Sequence, residues 1–306
     1  MNPSTPATHA RAGLPLRILV FVAKLGAFFL ALHFLVFCLF DLLPSADFLQ
    51  TGWAGADPAL LASTRERLGL NGNWLERYWG SVIHLLHGDL GRSIAGGYPV
   101  ANLFANRIGN SLPQWLGVLG MCIFAVATGM MFCTRRVSVW QRLSVFLSHA
   151  FLIPQFLAAL VLFAFYVSAV SPWVPRSADP IIRMVFATAS AGLLPAAMLF
   201  IAAANSAQTY AREPFVLTYL AMGMNSAQIR WRLLRNVLIA LRPLSGRVLL
   251  AVATGTLFAE LTFSINGIGK LFVDSLKNSD WPTMQAWVVF VGGVILAVSL
   301  VERRAT

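Results

Sequence analysis

Charge is what this sequence has least of. Only 11% of its 306 residues are Asp, Glu, Lys or Arg, while 58% are hydrophobic. A soluble domain carries about 25% charged residues, so this chain lacks the polar surface to enclose a water-soluble globule. Its mean hydropathy of +0.70 also excludes intrinsic disorder, which requires low hydrophobicity. Cysteine is scarce as well. Cys38, Cys122 and Cys133 lie in apolar runs with no metal-type spacing and read as small buried hydrophobes. The 23 glycines and 15 prolines exclude a collagen-like chain. What remains is an all-α polytopic membrane protein.

Several kinds of catalytic machinery are missing too. A phosphate-binding loop ends in Gly-Lys-Ser/Thr. The nearest stretch, Gly267-Ile268-Gly269-Lys270, is followed by Leu271 and has Ser264 where the first glycine belongs. The sequence has no His-Glu-x-x-His and no Gly-x-Ser-x-Gly. An ion-coupled carrier places ionisable residues within its spans. Here Glu260 is the one acidic residue deep in a later span, and Asp41 sits near the end of the first. His84 and His87 are three apart and offer at most half a metal site, while His149 reads as a core or interface histidine. The chain is expected to bind no cofactor or metal and to be a pathway rather than an enzyme.

A helix needs about 20 apolar residues to cross a bilayer. Six stretches qualify: Ile18 to Leu43, Leu112 to Cys133, Leu143 to Val170, Ile181 to Ala204, Val248 to Ile268 and Met284 to Val301. The first apolar run, of about 26 residues, exceeds the 7–15 of a signal peptide, so a retained helix is expected. The net charge of +11 has an uneven distribution. With Lys24 of the first span included, the N-terminus, 134–142, 205–247 and the C-terminal tail hold 14 of the 23 basic residues against only Glu213 and Glu302. The opposite side holds nine basic and nine acidic residues. The positive-inside rule then places both termini in the cytoplasm. The basicity is a topology signal, with a contribution from membrane lipid, and calls for no nucleic acid. The chain divides into 1–44 (tail and first helix), 45–110 (an extracytoplasmic segment) and 111–306 (a five-helix core). Within the core, 205–247 is a cytoplasmic loop too long to be a simple connector.

That loop has a readable local code. Pro214 suits a first helical turn, and Phe215 to Leu220 continue a short helix. Gly223 fits a C-terminal cap. Asn225 or Ser226 caps a second helix, which runs through Arg230, Trp231, Arg232 and Arg235 to about Leu241, where Pro243 ends or kinks it. Ala221, Met222 and Met224 are thereby displayed at the turn. Soft apolar residues on an exposed helix suit docking into a partner's groove. They equally suit an amphipathic loop lying on lipid.

Tyr219-Leu220-Ala221-Met222-Gly223-Met224, followed by Arg235-Asn236, resembles the cytoplasmic loop of binding-protein-dependent ABC transporter permeases. The closest group is the B-type subunit of the dipeptide/oligopeptide/nickel permeases. Ala221 and Gly223 match the loop signature, Phe215, Val216 and Thr218 the helix before it, and Arg235 and Asn236 the helix after it. The similarity extends to Asp57-Pro58, Arg67-Leu68-Gly69-Leu70, Gly88-Asp89-Leu90-Gly91-Arg92-Ser93 with Pro99-Val100, and Ile153-Pro154 with Phe156. It continues in Glu260, Phe263-Ser264-Ile265, Gly267-Ile268-Gly269 and Asp280-Trp281-Pro282. It covers about residues 15–300 in order. Met222 stands where the family commonly has Lys, and Arg232 where it commonly has His. Ala240 replaces a usual Pro, and the Asp near the end of the last span is missing.

The resemblance implies a type I ABC importer permease in a bacterial inner membrane. A second homologous permease would complete the pathway, two ATP-binding subunits carrying ATP and Mg would dock on the cytoplasmic loops, and an extracytoplasmic binding protein would deliver cargo. Ala221, Met222, Gly223, Met224, Arg235 and Asn236 would form the coupling site. Gly88, Asp89, Gly91 and Arg92 would serve binding-protein docking, with the two glycines providing tight backbone geometry. Glu260 either contacts cargo in the pathway or bonds to backbone near Gly267. Peptides, nickel, a metal–metallophore complex and an opine-like solute all remain open as cargo, as does an ATP-independent secondary carrier.

Overall fold

A computed structural model of the chain describes residues 14–42, 73–131, 154–278 and 280–303. Cys133, His149, Asp57-Pro58, the Arg67–Leu70 motif and the start of the expected third span lie outside them. Regular structure among the described residues is helical, apart from an isolated antiparallel bridge between Arg92 and Pro99. The helices are α1 (Leu14–Leu42), α2 (Trp74–Leu86), α3 (Val100–Met131), α4 (Gln155–Phe165), α5 (Asp179–Ala211), α6 (Pro214–Ala221), α7 (Ser226–Leu241), α8 (Ser245–Thr262), α9 (Ile268–Lys277) and α10 (Trp281–Arg303). A π-turn at Tyr166–Val170 and a 3-10 turn at Ser171–Trp173 prolong α4, and a 3-10 turn at Arg242–Leu244 joins α7 to α8. Among the described residues, four helical runs are long and apolar enough to cross a membrane: α3, α4 through Trp173, α5, and Ser226–Thr262. A shorter apolar stretch, Gly26–Cys38, lies within α1.

Backbone contacts divide the chain into two compact units. The first comprises the chain through Val100 together with Asn278–Ala297. Its core is aromatic. Tyr78 of α2 meets Phe34 and Phe37 of α1 at centroid distances of 5.3 and 5.4 Å, and Phe37 meets Trp281 of α10 at 6.5 Å. A Cβ added at Gly292 of α10 would lie 2.9 Å from the Phe29 ring of α1, so a small residue permits that approach.

The second unit spans Ala101–Lys277 with Val298–Thr306. Val118 and Cys122 of α3, Tyr166, Ala187 and Ala191 of α5, and Ala259 and Phe263 at the end of α8 form its buried centre. Lipid tails are as apolar as Leu, so packing rather than the hydrophobic effect holds such helices together, and small residues are enriched where backbones meet. A Cβ at Gly255 of α8 would lie 2.7 Å from the Ala191 carbonyl of α5, and one at Gly129 of α3 would lie 2.8 Å from the Phe200 carbonyl.

The expected fifth span, Val248 to Ile268, requires correction. The helix begins at Ser245 and stops at Thr262. Ser264 then adopts φ +55, and the Ile265 N–H donates back to the Glu260 carbonyl at 2.9 Å. This six-to-one bond closes a left-handed cap, and Ile268 starts a separate helix.

Candidate functional site

Local signals build the α6–α7 loop. Pro214 occupies the first turn of α6, where its missing N–H removes no helical bond. At the other end Gly223 has φ +74, the Met224 N–H donates to the Tyr219 carbonyl at 3.1 Å, and the Gly223 N–H donates to that of Leu220 at 2.9 Å. Together these make a Schellman stop. One residue later Asn225 caps α7. Its Oδ1 accepts from the Gln228 N–H, and Gln228 Oε1 accepts from the Asn225 N–H, both at 2.9 Å. Such a reciprocal capping box satisfies two otherwise orphaned donors.

Packing then fixes the hairpin. Val216 of α6 is buried with Ile229 and Leu233 of α7, and Tyr219 and Met224 pack against this cluster. The Arg232 guanidinium lies over the Tyr219 ring at 5.2 Å, a cation–π contact worth about 0.5–1 kcal/mol at an exposed site. Farther along α7, Val237 and Leu241 bury against Ala203 and Ala207 of α5 and Met130 of α3. The loop is therefore anchored to helices of its own unit.

Among its exposed residues are several large apolar ones. Leu217 is 69% exposed, Met222 70% and Trp231 75%, and Leu220, Ala221 and Gly223 are exposed beside them. Isolated exposed hydrophobics are ordinary, whereas a contiguous group marks a contact surface. Ala221, Met222, Gly223 and Met224 come together at the turn. Arg235 and Asn236 do not join them: they sit farther along α7, Arg235 exposed and Asn236 half-buried.

The other sequence-selected segment is the loop 87–99 of the first unit. Gly88 and Gly91 adopt φ +77 and +73. Between them Asp89 Oδ1 accepts from the Gly91 N–H at 2.8 Å, so Asp89 shapes its own turn. Arg92 donates to the Gly97 carbonyl at 3.2 Å. The Gly91 carbonyl accepts from the N–H of Val100, the first residue of α3, at 3.0 Å. Two side chains not selected as site residues complete this region. Asp280 accepts from Ser93 Oγ at 2.5 Å, from the Ile94 N–H at 3.0 Å and from Thr283 Oγ1 at 2.8 Å. Ser93 and Asp280 are 187 residues apart in sequence, which no local pattern discloses. His84 Nδ1 lies 3.4 Å from Asp89 Oδ2, and His87 Nδ1 bonds to the Ile83 carbonyl.

Glu260 is fully buried. Its Oε1 accepts from Ser111 Oγ of α3 at 2.5 Å and its Oε2 from the Lys270 N–H at 3.1 Å. Ser111 Oγ in turn accepts from the Ile268 N–H at 2.8 Å. A Cβ at Gly267 would fall 2.1 Å from Glu260 Oε1. The carboxyl group is thus enclosed by backbone, with its oxygens committed to protein donors.

Residues 94–302 match the model of the family described as binding-protein-dependent transport system inner membrane component. Among curated proteins, the chain is 27% identical over 273 residues to the glutathione transport system permease protein GsiC of Pectobacterium atrosepticum. It is 25% identical over 273 residues to that of Escherichia coli K12. In both cases the match covers 87% of this chain and 88% of the relative.

Proposed function

Because this chain belongs to the family of binding-protein-dependent transport system inner membrane components, we propose that it is one half of an importer for glutathione or short peptides, driven by partner ATP-binding subunits. The coarser part of that reading is established by its relatives. It is a multi-pass permease component of a dipeptide/oligopeptide-type ABC importer of the bacterial inner membrane, and such a subunit is not itself catalytic. The names of the relatives favour peptide cargo over nickel, a metallophore or an opine. A second permease, two ATP-binding subunits and a binding protein complete the complex.

The observation that carries the proposal is the α6–α7 hairpin, rigid at its base and apolar at its tip. The hairpin docks by Leu217, Leu220, Met222 and Trp231 into an apolar groove of an ATP-binding subunit. Met222, where relatives commonly carry Lys, makes that contact soft and adaptable. Nucleotide binding draws the two ATP-binding subunits together. Because Val237 and Leu241 pack on α5 and α3, a pull on the hairpin moves the helices that line the pathway. Two discrete arrangements biased by a ligand are what coupling requires. At the outer face the loop 87–99, with Gly88, Asp89, Gly91 and Arg92, receives the binding protein. Glu260 holds the α8–α9 turn to α3 and does not meet cargo.

The test is affinity purification of the tagged chain from native membranes, followed by reconstitution of the recovered complex in vesicles. Recovery of an ATP-binding subunit and a second permease, with glutathione or dipeptide uptake that requires internal ATP, is the expected result. Recovery of the chain alone, with transport that collapses under an uncoupler, would replace this reading with a secondary carrier.

A further inference from the structure

The first unit contains a connection that the docking reading does not require. The segment Gly88–Pro99 has little apolar packing of its own: Asp89, Gly91, Arg92, Ala95, Gly96, Gly97 and Tyr98 are all exposed. Besides the start of α3, its backbone bonds among the described residues are the Gly97 N–H to the Ser93 carbonyl at 2.8 Å, the Ser93 N–H to the Tyr98 carbonyl at 2.9 Å and, at its entry, the Gly88 N–H to the Leu85 carbonyl at 3.0 Å and the Asp89 N–H to the His84 carbonyl at 2.9 Å. A loop of that kind opens readily, since local stability follows buried apolar contact. Yet Ser93 is 4% exposed and Asp280 only 3%, which makes their bond the one buried polar anchor of the segment.

Asp280 is divided between two structures. One carboxyl oxygen accepts from the Ile94 N–H, and the other accepts from Ser93 Oγ and Thr283 Oγ1. Its backbone carbonyl accepts from the Met284 N–H at 3.1 Å, beginning the ladder of α10. A carboxylate at a helix N-terminus is favoured by the helix dipole, and hydrogen bonds to an ionised acceptor are about twice as strong as neutral ones. The same side chain therefore bonds to the first turn of α10 and holds an exposed loop. Gly91 packs beside it: a Cβ there would be 3.8 Å from the Pro282 Cβ.

We propose that Asp280 is a positioning residue for the importer. Through Ser93 and Ile94 it sets the loop 88–99 in the conformation that the binding protein recognises, and it ties that loop to the start of α10. Docking on the loop then bears directly on α10 rather than on a free strand of chain. This rests on the reading given under Proposed function.

The experiment uses the complete transporter in proteoliposomes, with its own binding protein loaded with glutathione. Two quantities are read: the rate of tryptic cleavage after Arg92 from the outer face, and the binding-protein concentration that half-saturates ATP hydrolysis. Asp280→Asn keeps the shape but turns an amide toward two hydroxyls. It is expected to speed cleavage at Arg92 and to raise the half-saturating concentration, each about tenfold, with the maximal rate unchanged. Ser93→Ala should move both in the same direction and add nothing in the Asp280→Asn background. Thr283→Ala breaks only the helix-side bond and should move neither, whereas an effect arising merely from the α10 cap would appear in it equally. If Asp280→Asn folds poorly, Ser93→Ala alone decides. Unchanged cleavage, or faster cleavage with unchanged half-saturation, overturns the proposal. A wild-type complex that ignores the binding protein while Asp280→Asn still loosens the loop overturns the docking reading instead and leaves the anchor standing.

Discussion

Glu260 shows how one buried side chain organises a turn. Ser111 Oγ donates to it while accepting from the Ile268 N–H, so the hydroxyl cannot reverse its direction without losing a bond. Ser111→Ala leaves both partners short, and an unsatisfied buried group costs about 1–3 kcal/mol. Glu260→Gln presents an amide to the same hydroxyl and should cost a similar amount. Because both changes break one network, their effects should fall short of additive by at least about 0.5 kcal/mol. Thermal unfolding of the purified complex in detergent measures this, and strict additivity would show that the two side chains act separately. Gly267 is needed for a different reason, since Gly267→Ala would drive a methyl group into the Glu260 carboxyl. It should destabilise by about 1–3 kcal/mol, as overpacking does, whereas Gly223→Ala meets nothing within 4 Å and suffers only the left-handed backbone, about 1–2 kcal/mol.

At the scale of elements, two helices end in the same way, and only one ending is legible in sequence. Both α6 and α8 close with a left-handed residue and a six-to-one bond. At α6 that residue is glycine, followed two residues later by an Asn with a Gln three places on, so the hairpin can be written down from local chemistry. At α8 it is Ser264, between Phe263 and Ile265. Hydropathy runs on unbroken there, which is why the span reads as continuing to Ile268. The true stop is enforced by Glu260 and Gly267 together with Ser111, which lies 149 residues from Glu260 and in no local window. The anchor between Ser93 and Asp280 escapes detection for the same reason. Ser264→Gly should therefore stabilise the protein, by about 0.5–1 kcal/mol once the looser unfolded chain is counted, read as a higher melting temperature with uptake intact. On α7, Asn225→Ala removes the capping box and should cost about 1 kcal/mol, seen as faster amide exchange in the first turn of α7. Gly223→Pro cannot adopt φ +74 and should abolish uptake while leaving membrane insertion intact; normal uptake would refute the coupling assignment.

For the whole molecule, two independent observations predict sidedness. Ser93 bonds to Asp280, so the loop 88–99 and the start of α10 share one face of the membrane, and an even number of crossings must separate them. Among the described residues, four helical runs long enough to cross lie between them: α3, α4 through Trp173, α5 and Ser226–Thr262. Three of these precede the α6–α7 hairpin, and three crossings predict its tip on the opposite side. The contact alone does not say which side is cytoplasmic. The basic residues predict it: Arg212, Arg230, Arg232, Arg235, Arg242 and Arg247 cluster around the hairpin with only Glu213 against them, the pattern expected of a cytoplasmic loop. Single cysteines substituted at Tyr98, Trp173 and Trp231, all exposed, in a chain whose Cys38, Cys122 and Cys133 are replaced, test this directly. A membrane-impermeant maleimide applied to intact spheroplasts should label positions 98 and 173, and should reach 231 only after permeabilisation. Labelling of 231 from outside would reverse the orientation and separate the hairpin from any cytoplasmic ATP-binding partner. Labelling of 98 and 173 from opposite sides would break the count of crossings on which the shared face of Ser93 and Asp280 depends.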